Sequence, residues 1–405
     1  MENQIDVNYN KLHTLNFNVD LLEKEKENLF YSKILNRETN QLMYSSNNTN
    51  PEFLKGQYFL IKEVPNYLET TIDPSATGIK TKKIGTYEGS IINLQKYDSL
   101  NSYLKEEISS QRRSNINRCQ KRLDLCIKPT YKMYYGDISR TEYDTIFKDY
   151  KKMLIRRLAQ KESYWEELDY WEERFSTSYD LIKNKKVSVF VIYDNNKPIS
   201  IYINTIYKTT LYIEVIAYDI DYAKFKLGFL SLTKIIKWAI DNKFSLIDMS
   251  KGDFYYKERF RNGVYTFENH IIFDSENILV RLKSYFLASK LNLIYKLLPI
   301  LKKLKLHLWY RKYKKNTKKD VFKEYQGTPP TIAIDNTEDI KLPKDVQEIN
   351  LENENYSFLK ESLMDFLFLN FEYIQDVSVY ISQNTPNSYF FRGRNKTQKI
   401  DIKKV

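Results

Sequence analysis

The chain has 405 residues, 42% hydrophobic and 15% aromatic, enough for two or three domains with real cores, which excludes a disordered chain. Ten glycines (about 2.5%, against about 7% on average) exclude collagen-like and glycine-rich classes, and two cysteines with three histidines, in no short-spaced ligand pattern, exclude a structural zinc site and a disulfide-stapled scaffold. The net charge of +12 is concentrated: 13 of the 64 Lys/Arg lie in 277–319 without one acidic residue, and the other 51 nearly balance 52 Asp/Glu.

The opening Met1-Glu2-Asn3-Gln4-Ile5-Asp6 has no basic and no apolar run, so no signal peptide is expected, and the few cysteines point to a reduced, cytoplasmic setting. Residues 1–84 are mixed, with Pro51, Pro65, Pro74 and the Asn-rich 45–50 marking loops. A strand is expected at 90–94. Asp98 or Ser99 caps a helix running to about 123, with Leu100, Leu104 and Ile108 on one face, and 125–135 alternates as a strand should. Ser139-Arg140-Thr141-Glu142 has the form of a capping box and opens a helix past 158. A second helix, 164–183, carries Tyr164, Leu168, Trp171 and Phe175 on one stripe, expected to pack against the body rather than line an acceptor groove.

Strands at 187–193, 199–207 and 210–218, joined by the turn-forming Asp194-Asn195-Asn196-Lys197-Pro198 and by Lys208-Thr209, form an antiparallel meander. A helix at 229–242 and strands at 244–249 and 265–273 follow. In 277–319 apolar residues recur at helical steps, and Pro299 is expected to divide or kink the helix. No charge-free stretch there exceeds six residues, so it does not span a bilayer. A basic face with Trp309, Tyr310 and Tyr313 is the composition of an interfacial helix on an anionic membrane surface; a helix packed on the body with its lysines in water is the alternative. No recognised nucleic-acid module accompanies it, so no specific nucleic acid is expected as a partner. Residues 354–371 read as a helix and 377–382 as a strand.

Two segments carry candidate chemistry. Gly228 stands where the meander gives way to a helix, whose N-terminal amides and dipole suit a phosphate or diphosphate, with Lys224 and Lys226 adding charge; a plain helix cap is the bland alternative. Asp248-Met249-Ser250-Lys251-Gly252-Asp253-Phe254-Tyr255-Tyr256-Lys257 gathers two carboxylates, a glycine, two tyrosines and lysines at a strand's C-terminal end, with a polar loop holding a structural ion pair as the alternative.

A meander, a Gly-led helix and a strand ending in Asp-x-x-x-Gly-Asp-x-x-Tyr-Lys resemble the cellulose-biosynthesis (CelD-like) branch of the GNAT acetyltransferases, itself similar to Fem-type transferases. The similarity covers roughly 108–275 and opens with the basic Gln111-Arg112-Arg113-Ser114-Asn115-Ile116-Asn117-Arg118. It implies an α+β fold with a GNAT-like mixed, largely antiparallel sheet flanked by helices, duplicated in the Fem-like manner. The divisions expected are an N-terminal GNAT-like half with inserted helices at 1–184, an acyl-donor-binding half at 185–275, a basic amphipathic segment at 276–319 and a small C-terminal α/β appendage at 320–405.

By the same resemblance the activity is direct acyl transfer from acetyl-CoA or another acyl-CoA, without a metal, to an amino-sugar, polysaccharide-precursor or cell-envelope acceptor. The location implied is cytoplasmic, peripheral at the inner membrane face. Gly228, Lys226, Phe229, Leu230 and Gly252 fall at the donor. Asp253, Asp248 and Glu214 are candidate bases, Tyr256 a proton source for the leaving thiolate, and Lys257 a counter-charge. Leu230 stands where standard GNAT loops have a second small residue, and Leu227 where members often have proline. Two alternatives stay open: an aminoacyl-tRNA donor of the Fem kind, and a non-catalytic scaffold at the membrane surface.

Overall fold

The computed structural model describes residues 12–22, 29–46, 51–161, 168, 171–252, 254–304, 331–335, 340–385 and 387–403. Its strands are β1 (His13–Asn16), β2 (Lys33–Asn36), β3 (Gln41–Ser45), β4 (Tyr58–Pro65), β5 (Leu68–Thr71), β6 (Ile79–Asn93), β7 (Thr130–Tyr134), β8 (Val187–Asp194), β9 (Lys197–Tyr207), β10 (Thr210–Tyr218), β11 (Leu246–Lys251) and β12 (Gly263–Asp274). Beyond these come β13 (Thr331–Asp335), β14 (Val346–Glu348), β15 (Ser378–Ser382), β16 (Ser388–Arg392) and β17 (Thr397–Lys403). Helices are α1 (Leu100–Glu107), α2 (Ser110–Cys126), α3 (Arg140–Gln160), α4 (Trp171–Lys183), α5 (Leu227–Asp241), α6 (Tyr255–Phe260), α7 (Ile278–Lys303) and α8 (Lys360–Asn370).

The chain forms two compact units, one of residues 1–108, 205–214 and 237–310, the other of 109–204, 215–236 and 311–405. In the first, strands run in the order β1-β4-β12-β6-β11, and Thr210–Tyr212 of β10 lie beside β11. The β1–β4 and β10–β11 pairs are parallel, and β4–β12, β12–β6 and β6–β11 antiparallel. Phe17, Phe30, Phe59, Tyr67, Leu246 and Tyr265 belong to its main core. Helix α7 closes another face, Val280 and Ala288 packing with Leu60, Ile84, Ile271 and Phe273.

In the second unit the meander brings β7, β8, β9 and the end of β10 together, and two-residue turns force its hairpins antiparallel. Tyr143, Phe147, Tyr150 and Trp171 from α3 and α4 pack on Val189, Val191, Ile201 and Ile203. The stripe on the second helix is therefore core, as expected, with Tyr164 outside the described residues. A five-stranded antiparallel sheet, β13-β17-β16-β15-β14, ends the chain. The expected fold class holds: α+β, with largely antiparallel sheet flanked by helices.

Several elements differ from expectation. The helix capped by Ser99 stops at Glu107, and α2 begins at Ser110, because Ile108 turns extended and the Ser109-Ser110 pair favours a cap over a helix interior. Residues 125–126 are helical, since Cys119, Leu123 and Cys126 recur at helical spacing and are buried. Strand β6 begins at Ile79, eleven residues earlier than 90, its charged first half half-exposed and so without an apolar signature. Helix α7 continues through Pro299, which sits near its end, where few residues follow. The 354–371 segment divides into a 3-10 turn, Glu354–Leu359, and α8. The capping box at Ser139 is formed, and of the two candidate caps at 98–99 Ser99 is the one used, in a box with Ser102.

Candidate active site

Asp248 is the third residue of β11, opposite Tyr212 on β10 and Ile91 on β6, and its side chain is 1% exposed. It accepts from the Tyr67 hydroxyl at 2.7 Å, from the Tyr265 hydroxyl at 2.8 Å to either oxygen, and from the Ser250 amide at 2.6 Å. Burial pushes its pKa up, and the hydroxyls, the amide and Lys257 only partly offset this. Burial and the Asp248 charge raise both tyrosines far above the usual phenol range, so they stay protonated donors.

On either side of Lys251 the chain turns sharply: Ser250 has φ +62° and Gly252 φ +106°. Only glycine adopts the latter at little cost. Helix α6 then returns Lys257 beneath the strand end, where its ammonium donates to the carbonyls of Ser250 at 3.1 Å and Lys251 at 2.6 Å. Burial lowers the Lys257 pKa to about 8, against the pull of Asp248. Tyr256 is half-buried with its ring stacked on Phe254, centroids 6.1 Å apart. Asp253 lies outside the described residues. Glu214, half-buried on β10, accepts from the Thr205 hydroxyl at 2.7 Å. Asp248, Gly252, Tyr256, Lys257 and Glu214 are thus all in the first unit.

Gly228 and its neighbours belong to the second. It is the second residue of α5, behind a 3-10 turn, Ile220–Phe225, rather than directly behind the strand. Lys226 adopts φ +57°, and its carbonyl accepts from the amides of Phe229 at 2.9 Å and Leu230 at 3.3 Å, so two amides of the first turn are engaged locally. The Gly228 carbonyl accepts from the Tyr202 hydroxyl at 2.7 Å. A Cβ on Gly228 would meet that hydroxyl at 3.6 Å and Tyr218 at 3.8 Å, ordinary contact. The Leu227 and Leu230 side chains are buried, so their bulk points into the core.

Sequence patterns missed what holds these parts. Tyr67, from the unassigned 1–84, and Tyr265 are the partners of Asp248; with 34 tyrosines in the chain, no single one stands out. The turn before α5 is fixed by Arg156, which donates to Asp219 and Asp221 at 2.8 Å each, and by Lys197, 2.9 Å from Asp219. Burial would raise Asp219, but Lys197 and Arg156 outweigh it and hold its pKa low. Lys224 pairs with Asp365 on α8. Among the described residues no group of three or more His, Cys, Asp or Glu is placed to hold a metal ion.

Residues 110–258 match the family model of the acetyltransferase (GNAT) domain, a little over a third of the chain, so the chain carries an acyltransferase domain of GNAT type. The match takes in both Gly228 and the segment from Asp248 to Lys257. No curated protein matches. Among solved structures, FemX is 12% identical, with 57% of this chain and 75% of that one covered, at a TM-score of 0.37. L-PGS from Bacillus licheniformis is 12% identical, with 58% and 73% covered, at 0.36. The PaiA N-acetyltransferase from Thermoplasma acidophilum, in complex with coenzyme A, is 15% identical, with 35% and 98% covered, at 0.26. Likenesses this distant say nothing of what the chain acts on.

Proposed function

We propose that the protein transfers an acyl group from acetyl-CoA or another acyl-CoA to an amine or hydroxyl of an amino-sugar, a polysaccharide precursor or another cell-envelope acceptor. The observation that carries this is the GNAT match at 110–258, ending on Asp-x-x-x-Gly-Asp-x-x-Tyr-Lys. The α5 N-terminus fits a diphosphate-bearing donor: its dipole is positive there, Lys226 adds charge, the space beside Gly228 is not filled, and the bulk of Leu227 and Leu230 faces inward. Lys226, Gly228 and Phe229 are its proposed holders, with Gly252 shaping the second segment; Leu230, its amide bonded to the Lys226 carbonyl and its side chain in the core, packs the helix instead of meeting the donor.

In the reaction the acceptor attacks the thioester carbonyl, forming the new C–N or C–O bond and breaking C–S. Asp253 or Glu214 takes the acceptor's proton, and Tyr256 returns one to the thiolate. Asp248 is too enclosed by Tyr67 and Tyr265 to meet an acceptor directly. It accepts from the Ser250 amide while Lys257 donates to the Ser250 and Lys251 carbonyls, and the two together fix the turn that carries Gly252. Labelled acetyl-CoA and charged tRNA, each offered with a panel of amino-sugars and polysaccharide precursors, test the reading. Label is expected to leave acetyl-CoA with release of free thiol; transfer from charged tRNA alone overturns it.

We also propose that α7 lies on an anionic membrane surface. One face is sealed by Val280, Ser284 and Ala288, while Leu279, Leu282, Phe286 and Leu293 on the other are each at least 60% exposed, among lysines. An apolar row with basic flanks suits the interface of an anionic leaflet. Among the described residues no helix is long and apolar enough to cross a membrane, and 305–319 lie outside them. Co-sedimentation with anionic but not neutral vesicles is expected; equal binding to both refutes an electrostatic attachment.

A further inference from the structure

The basic helix α2 has a feature that the acyl-transfer reading leaves unused. Against its outer face lies an open cavity of about 690 Å³, lined by Arg113, Arg118, Lys121 and Arg122, with Leu125 and Phe371 at its apolar side and no acidic residue in its wall. The four cations span ten residues, about 14 Å of helix. Nearby carboxylates are turned elsewhere: Asp124 accepts from Gln120 and Tyr131, and Glu372 from the amides of Arg394 and Asn395. The partners seen for two of the cations are neutral, since Arg118 donates to the Asn115 side-chain oxygen at 2.8 Å and Arg122 to the Phe368 carbonyl at 2.7 Å.

Arg122 is also set in place before any ligand arrives. Its guanidinium lies 4.4 Å from the Phe368 ring centre and 4.2 Å from that of Phe371. Phe371 itself ends α8 in a left-handed conformation, φ +59°, where glycine is the ordinary choice, and is 54% exposed. A bulky residue held there costs of order 1 kcal/mol, a strain that clusters at ligand sites. Its ring faces the cation row instead of the core.

We propose that this cavity binds a diphosphate-bearing ligand, the phosphates on the α2 cations and a planar or apolar group against Phe371 and Leu125. Guanidinium groups meet phosphate oxygens in pairs, and an aromatic ring offers a stacking face to a base. Inorganic pyrophosphate and nucleoside diphosphates share this chemistry, and titration calorimetry of the full chain with pyrophosphate, ADP, UDP and orthophosphate separates them. Pyrophosphate or a nucleoside diphosphate is expected to bind at least tenfold more tightly than orthophosphate. Arg118→Ser with Lys121→Ser is expected to weaken that binding at least tenfold. Phe371→Gly, which keeps the left-handed cap and so the fold, is expected to weaken the nucleotides more than pyrophosphate, since Phe368 still holds Arg122; if it weakens them no more than pyrophosphate, no group stacks on Phe371 and that half of the proposal falls. Lys226→Ala is expected to remove only a separate binding step held at α5, and to leave in place the step that the double variant weakens. The site falls if wild type binds none of the diphosphates, if the double variant binds as wild type does, or if binding is lost only with Lys226→Ala. That last result would transfer the ligand to α5 and leave the acyl-CoA reading standing.

Discussion

The Lys257 ammonium donates to the Lys251 carbonyl at 2.6 Å, tying the helix after the turn to the last residue of the strand before it. Burial sets the Lys257 pKa at about 8, below its ordinary 10.5. Between those values the unfolded chain holds a proton that the folded chain has released, so the residue's contribution to stability rises with pH there. The slope is at most about 1.4 kcal/mol per unit. Below about pH 8 both states are protonated and the desolvation cost is felt in full. Urea unfolding of wild type and Lys257→Met between pH 7.5 and 9.5 should show the difference moving in favour of wild type as pH rises. Above pH 10 the buried tyrosines, whose pKa values are raised, pull the other way. A difference independent of pH means that Lys257 is solvated.

Tyr67 and Tyr265 each give a hydrogen bond to a carboxylate removed from water. Replacing either by Phe withdraws a donor without changing the packing much, and a charged acceptor losing one partner costs about 1.5–3 kcal/mol. Each single variant should lose stability in that range in chemical denaturation. Asp248→Asn should cost less than Asp248→Ala, since an amide oxygen still accepts from one phenol. Losses under 0.5 kcal/mol in both Phe variants would mean that Asp248 is protonated and carries no charge to stabilise.

The elements that were legible from sequence are those whose pattern is local. The capping box at Ser139, the cap at 98–99, the meander with its Asn195-Asn196 turn and the stripe through Trp171 and Phe175 rest on neighbours within a few residues. Strand β6 pairs over most of its length with β12, some 180 residues later, so a charged half that looks like loop is held by its partner. The same holds at the site. The motif around Asp248 was readable as a motif, but its phenol partners come from 181 residues before and 17 after. Nothing in their spacing announces them.

Gly252 should not accept a side chain. At φ +106° an alanine is strained by about 1–2 kcal/mol whatever the space available. Its Cβ would also approach the Phe254 ring to 2.7 Å, though that ring is 52% exposed and is able to swing away. Gly252→Ala should therefore lose about 1–2 kcal/mol in denaturation and lower turnover by shifting the turn between β11 and α6. Full stability in this variant would mean that the turn relaxes to an ordinary conformation.

Gly228 should behave in the opposite way. A methyl group there makes only ordinary contacts, and alanine is the better helix former, by up to about 1 kcal/mol. Gly228→Ala should leave the melting temperature unchanged or raise it. If acyl-CoA phosphates approach this backbone as proposed, kcat/KM for acetyl-CoA should nevertheless fall at least tenfold. Leu230→Ala makes the contrast, because Leu230 is 1% exposed and its loss opens a cavity worth about 2–5 kcal/mol. Activity within twofold of wild type in Gly228→Ala would move the donor off this helix.

The turn that delivers α5 depends on Arg156. Its guanidinium serves Asp219 and Asp221 together, and these carboxylates are 3% and 6% exposed. Removing the cation strands buried charge, which costs about 3–5 kcal/mol when one partner of such a group is deleted. Arg156→Met should fall in that range, softened by Lys197, which still reaches Asp219. Arg156→Lys supplies a point charge in place of a planar fork and cannot meet both carboxylates, so it should fall between wild type and Arg156→Met. Since α5 begins two residues after this 3-10 turn, acetyl-CoA affinity should decline in the same order as stability. A lysine variant as stable as wild type, with unchanged affinity, would show that one carboxylate suffices and that Asp221, which burial and Asp219 push toward the protonated form, is neutral in the folded protein.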